Sequence, residues 1–246
     1  PSVRNMKNIT DSDLFIYTND SMEPWIKTIR DSIDSDTKIL NCSKNIEMIE
    51  IDEFMEKHNI LEEHEHNNGT KHEYEFDGHV WLNPKNAIIM IDTICEELVE
   101  IDPKNKQYYE KNANDYKNKI ELLDKEIENK INENKVDILV FGGEFSYIYF
   151  CDRYNLDIVT AYSSCGEGAE PSVSKIKDII EFINSNKINK VFYQELTEGT
   201  VANMISEETN AKAVVFNTLH NISSEEISNG KDYVSVMKEN LKIICN

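Results

Sequence analysis

At 246 residues the chain can bury a real core, as one large domain or two lobes. Apolar residues make up 39% and come in short runs, so no stretch approaches the roughly 20 consecutive apolar residues of a membrane span. The net charge of −20, from 46 acidic and 26 basic residues, argues against nucleic acid as a partner, because phosphate binding needs a basic face.

Val3, Met6 and Ile9 recur every three residues and read as the end of a helix; Asp13–Tyr17 (DLFIY) follows as a short buried strand. Trp25, Ile26, Ile29 and Ile33 give a helical face behind Pro24, and Lys38–Cys42 (KILNC) a second strand. Residues 60–77 form a loop rich in His, Glu and Asn. After Asn83-Pro84, the residues Ala87, Ile88, Ile91, Ile94, Cys95 and Leu98 trace one helical face until Asp102-Pro103 stops it. Next, Tyr109, Ala113, Tyr116, Ile120, Leu123, Ile127 and Ile131 step by three and four with no Gly or Pro between Asn105 and Asn132. Such a helix is on the order of 40 Å long, which suits a strut between two lobes. The other reading, a coiled-coil dimer, has only about three heptads to stand on.

From Val136 onward strands alternate with helices. Strand-like runs are Asp137–Phe141, Asp157–Thr160, Lys190–Tyr193 and Ala213–Phe216, with helical patterns at about Phe145–Arg153, Val173–Asn184, Thr200–Thr209 and Asp232–Cys245. That alternation argues for a parallel α/β sheet, whose ligands collect at the carboxyl ends of the strands. Those ends carry Gly142-Gly143-Glu144, Ser163–Glu167, Gln194-Glu195 and Asn217–His220. Only two strands fall in the N-terminal half, so a strand–helix–strand unit is expected upstream of Pro1. Cys42, Cys95, Cys151, Cys165 and Cys245 are an odd set without a CxxC pair, which disfavours both a disulfide framework and a thiolate zinc knuckle.

Five of the six histidines lie between His58 and His79, interleaved with Glu62, Glu63, Glu75 and Asp77. Imidazole and carboxylate are ligands of divalent transition metals, and a short His-rich tract is a metal-binding composition. A solvated acidic loop is the other reading of His64, His66 and His72. His79 stands where the polar tract gives way to Val80-Trp81-Leu82, at the junction with packed structure.

Several segments resemble one family, the extracytoplasmic receptors of zinc and manganese ABC importers, also known as metal-binding adhesin-like lipoproteins. The matching runs are Pro1-Ser2, Asp13–Tyr17, Met22-Glu23-Pro24-Trp25, Gly78–Pro84, Ile101-Asp102-Pro103, Tyr108–Ala113, Ala169–Ser172 and Asn229–Tyr233, in the family's order over nearly the whole chain. The resemblance implies an α/β fold of two parallel-sheet lobes joined by one long rigid helix, with a metal between them. The expected division is 1–103 for an N-terminal lobe that is incomplete here, 104–134 for the connecting helix and 135–246 for the C-terminal lobe. It implies no enzymatic activity, but capture of a divalent metal outside the membrane and delivery to the importer's permease, by a monomer held at the cell surface as a lipoprotein or in the periplasm.

The family's ligands carry over as follows. One His is expected upstream of Pro1, the next falls on His79, and the third aligns with Glu144. The fourth place is Asn217, a poor ligand, with His220 three residues on as the better donor. Cys165 and Glu167, on another strand-end loop, are further candidates, with a turn as their alternative role. Glu144 has an alternative role too, as acidic N-cap of a helix starting at Phe145. Two imidazoles and a carboxylate fit four-coordinate Zn2+, whereas Glu144 alone pulls toward Mn2+. The loop histidines resemble the family's metal-gathering loop. Two readings from other classes remain: a zinc hydrolase using His79, Glu144 and Glu195 as base, for which no HExxH is present, and a surface adhesin.

Overall fold

The computed structural model describes residues 2–30, 37–61, 76–160, 162 and 171–246. Two compact units emerge among them, one from Pro1–Met48 and Phe76–Leu122, the other from Ile49–Glu75 and Leu123–Asn246. The chain is α/β, and both sheets are parallel, as the alternating pattern requires.

In the first unit, helix α1 (Val3–Thr10) leads to strand β1 (Leu14–Tyr17), helix α2 (Ile26–Arg30) and strand β2 (Lys38–Asn41). The two strands pair in parallel from Leu14 with Lys38 to Tyr17 with Asn41. Helix α1 begins at Val3. Ser2 sits in extended backbone and its hydroxyl accepts the Asn5 amide at 3.2 Å, an N-cap that starts the helix at Val3. Ile9, Tyr17, Ile26 and Ile29 form the core, with Phe15 and Trp25 against it. A short 3-10 turn, Val80–Leu82, precedes helix α4 (Pro84–Ile101). Asn83 caps α4 by accepting the Lys85 amide at 2.9 Å, and Pro84 opens it, where the missing N–H costs nothing.

Helix α5 (Lys106–Asn134) runs for 29 residues, about 44 Å at 1.5 Å per residue. Its predicted stripe faces inward throughout: Tyr109, Ala113 and Tyr116 are half-buried, and Ile120, Leu123, Ile127 and Ile131 are buried.

The second unit holds a four-stranded sheet in the order β4-β3-β5-β6, from strands β3 (Ile138–Phe141), β4 (Asp157–Thr160), β5 (Lys190–Gln194) and β6 (Lys212–Phe216). Helices α6 (Ile148–Tyr154), α7 (Val173–Asn186), α8 (Thr200–Glu208) and α10 (Tyr233–Cys245) complete the alternation. Strand β3 is apolar along its length (ILVF), and β4 buries Ile158, Val159 and Thr160 behind an exposed Asp157, as a parallel sheet covered by helices demands. Val140, Val159, Ile179, Val191 and Ile205 anchor this core. Around Phe141 the rings of Phe145, Tyr147, Phe192 and Phe216 lie with centroids 4.9–6.3 Å away.

Two helices lie outside the sequence expectation. Helix α3 (Ile51–His58) belongs to the second unit and buries Ile51, Phe54, Met55 and His58; just after it, Ile60 donates to the Ile158 carbonyl at 3.0 Å. Helix α9 (Ser224–Ser228) buries nothing and rests on a capping box between Ser223 and Glu226.

Candidate metal centre

His79 sits on a loop fixed from three directions. Asn19, itself buried, donates from Nδ2 to the Gly78 carbonyl at 2.9 Å, while its Oδ1 accepts the amides of Ser21 and Met22 at 3.1 and 3.0 Å. This ties the turn after β1 to the His79 loop. A Cβ on Gly78 would fall 2.7 Å from the Met22 side chain and 3.1 Å from Asn19 Oδ1, so the position admits only glycine without displacing them. Downstream, the 3-10 turn and the Asn83 cap pin the other end, and Trp81 packs against the His79 ring at 5.4 Å.

Asp77 completes the arrangement. It is buried, and its Oδ1 accepts both the His79 backbone amide at 2.9 Å and the ring Nδ1–H at 2.5 Å. An ionised carboxylate only accepts, so a neutral ring facing it carries its proton on Nδ1 and its lone pair on Nε2. In the sequence Asp77 is one of several interleaved acids, and its place two residues before His79 is the signal that marks it.

In the second unit, Glu144 and the Asn217–His220 turn stand at the carboxyl ends of β3 and β6, where the sheet topology predicted them. Glu144 is exposed and caps no helix. Helix α6 starts at Ile148 with Tyr147 at its N-cap, and Phe145, Ser146 and Tyr147 ahead of it are buried, the two rings against Phe141. Gln194 holds this segment by donating to the Glu144 carbonyl at 3.0 Å and to Ser146 Oγ at 2.5 Å. The Tyr147 hydroxyl donates to the carbonyl of Phe216, the last residue of β6.

Asn217 serves its own turn: its side-chain oxygen accepts the Leu219 amide at 2.7 Å. Asn240 of α10 grips its backbone on both sides, accepting its N–H at 2.9 Å and donating to its C=O at 2.8 Å. Glu195 takes the Thr218 amide on one oxygen at 2.7 Å and the Thr218 hydroxyl on the other at 2.6 Å. The base named in the hydrolase reading is thus committed to shaping a loop. His220, one residue past Leu219 with its left-handed backbone (φ 58°), is exposed. Among the described residues no three His, Cys, Asp or Glu side chains converge as a metal site. His79 belongs to the first unit, Glu144 and His220 to the second. His64, His66, His72, Cys165 and Glu167 lie outside the described residues. Cys42, Cys95, Cys151 and Cys245 are free thiols, and burial pushes Cys42 up to about 11 and Cys151 well above its ordinary value, so neither buried thiol supplies a thiolate at neutral pH.

A family model described as the zinc-uptake complex component A, periplasmic (ZnuA), matches residues 1–246. The chain belongs to the ZnuA family. Among similar ZnuA-type proteins, the zinc-binding lipoprotein AdcA of Streptococcus pneumoniae serotype 4 is 32% identical over 245 residues, covering 99% of this chain but 47% of AdcA, so the chain spans about half that relative's length. The high-affinity zinc uptake system protein ZnuA of Bacillus subtilis (strain 168) is 31% identical over 245 residues, covering 98% of this chain and 73% of that protein. Among solved structures, the Zn(II)-bound ZnuA-like domain of Streptococcus pneumoniae AdcA superposes with a TM-score of 0.77 at 28% identity, covering 100% of this chain and 83% of that domain. Among the described residues, no helix is long and apolar enough to cross a membrane.

Proposed function

We propose that this chain captures zinc outside the membrane and delivers it to the permease of an ABC importer. The observation that carries the reading is the buried His79, its Nδ1 2.5 Å from Asp77 Oδ1, on a loop tied down at both ends. Membership of a zinc-uptake family and the zinc named for its relatives support the same cargo.

His79, Glu144 and His220 are the proposed ligands. Two neutral imidazoles with one carboxylate suit zinc, which accepts mixed nitrogen and oxygen donors in tetrahedral geometry. Asn217 is left out because its side-chain oxygen closes a turn. His64, His66 and His72 are assigned a gathering role, and the chain acts as a monomer. Because imidazole binds metal only when deprotonated, capture weakens as pH falls through the histidine range. Equilibrium dialysis of metal-free protein against zinc and manganese in competition tests the cargo. One tightly held zinc per chain is expected; a stoichiometric preference for manganese would overturn the choice of zinc.

A further inference from the structure

We propose that Asp77 is a positioning residue that locks His79 in its metal-ready tautomer and ring orientation before metal arrives. The inference rests on His79 being a metal ligand. Its own ground is that a single buried oxygen, Asp77 Oδ1, receives two N–H groups of the same residue, the His79 amide at 2.9 Å and the ring Nδ1–H at 2.5 Å. One contact fixes the backbone of His79 and the other fixes its ring, so the ring turns only by breaking a short charge-assisted hydrogen bond. Both partners are buried, at 6% exposure each, where water competes little for that bond.

His58 provides an internal contrast. Its Nδ1 also faces a carboxylate, Asp157 Oδ1, but at 3.2 Å, and that aspartate side chain is 52% exposed. The His58 ring is held by stacking on Phe54, with centroids 4.7 Å apart, a packing contact that does not choose a tautomer. At His79 the carboxylate makes the choice. It also raises the electron density of the ring, and carboxylate partners of this kind are worth about 10- to 100-fold in metal affinity.

Asp77→Asn tests the inference, because the amide keeps the shape and an oxygen for the His79 backbone while removing the charge. Zinc affinity by chelator competition and ring-nitrogen NMR of His79 are measured on the metal-free and loaded protein, with His79→Ala alongside. The expected result is a single Nδ1–H tautomer in the unmodified protein, a mixture of tautomers in Asp77→Asn, and zinc binding roughly 10- to 100-fold weaker there. If His79→Ala loses tight zinc while Asp77→Asn stays within about threefold with its tautomer unchanged, the positioning role is overturned and the metal reading stands. If His79→Ala binds zinc as before, both fall. A proton on Nε2 in the metal-free unmodified protein overturns the inference whether or not Asp77→Asn folds.

Discussion

Asp124 of α5 offers a direct test of what holds the second unit together. Its carboxylate accepts Arg153 Nε at 3.0 Å and Nη2 at 2.7 Å, and the Tyr154 hydroxyl at 3.0 Å, so one side chain fixes two consecutive residues of α6. The ion pair is well buried, with 14% of the Arg153 side chain and 9% of the Asp124 side chain exposed. Burial first, and Asp124 second, push the Tyr154 phenol far above its ordinary value, so the hydroxyl remains a donor at any workable pH. Breaking a buried pair on one side costs about 3–5 kcal/mol. Arg153 retains Glu128, a half-exposed partner at 3.3 Å, which lowers the figure for Asp124→Ala to about 2–4 kcal/mol. At about 2–4 °C per kcal/mol for a chain of this size, melting should fall by roughly 5–15 °C. Asp115→Ala is the control, since it breaks the Lys111–Asp115 pair whose side chains are 72% and 58% exposed, and should cost under about 0.5 kcal/mol. Thermal unfolding followed by circular dichroism reads both. A loss no larger for Asp124→Ala than for Asp115→Ala would refute the argument that burial, not ion pairing as such, gives Asp124 its weight.

Phe141→Ala should cost about 3–5 kcal/mol in chemical denaturation, because Phe141 is fully buried at the centre of four neighbouring rings; a loss under about 1 kcal/mol would mean the cluster repacks. Gly142→Ala should destabilise by about 1–3 kcal/mol, since its Cβ would meet the Ala202 backbone at 2.6 Å. Gly230→Ala meets nothing within 4 Å and carries only the left-handed strain of φ 79°, about 1 kcal/mol, so the reverse order of the two variants would contradict the close approach. Hydrogen bonds from the Ser223 backbone and hydroxyl hold Glu226 down at about 2, below its ordinary 4.5. A depressed carboxylate stabilises fully above its unfolded value and loses that contribution as pH falls through its folded one. The melting-point gap between the unmodified protein and Glu226→Gln should therefore be constant above about pH 5 and close between about pH 4.5 and 2; a gap that widens on acidification would contradict the capping role.

The sheets were legible because their signals are local. The run ILVF of β3 is apolar throughout, DIVT of β4 keeps Ile158 and Val159 at its buried centre, and the α5 stripe needs one face to pack along its whole length. Helix α3 was missed although Ile51, Phe54, Met55 and His58 share a face, because a histidine at the end of an apolar stripe reads as the start of the His-rich tract. Helix α9 carries no apolar period to read, only its cap. At the site, the change from a polar tract to Val80-Trp81-Leu82 marks the start of packed structure, and His79 at that junction is buried. The partners were not legible. That Asp77 turns back onto the His79 ring, that Asn217 closes its own turn, and that Glu195 braces Thr218 are consequences of backbone direction, which no spacing of residue types encodes.

The proposed function stands on His79 as a ligand of the zinc. Calorimetric titration of metal-free protein with zinc, for the unmodified chain and for His79→Ala, tests it most directly. One tight site is expected that disappears in His79→Ala while weaker binding by other histidines persists. Tight binding that survives the substitution unchanged would contradict it.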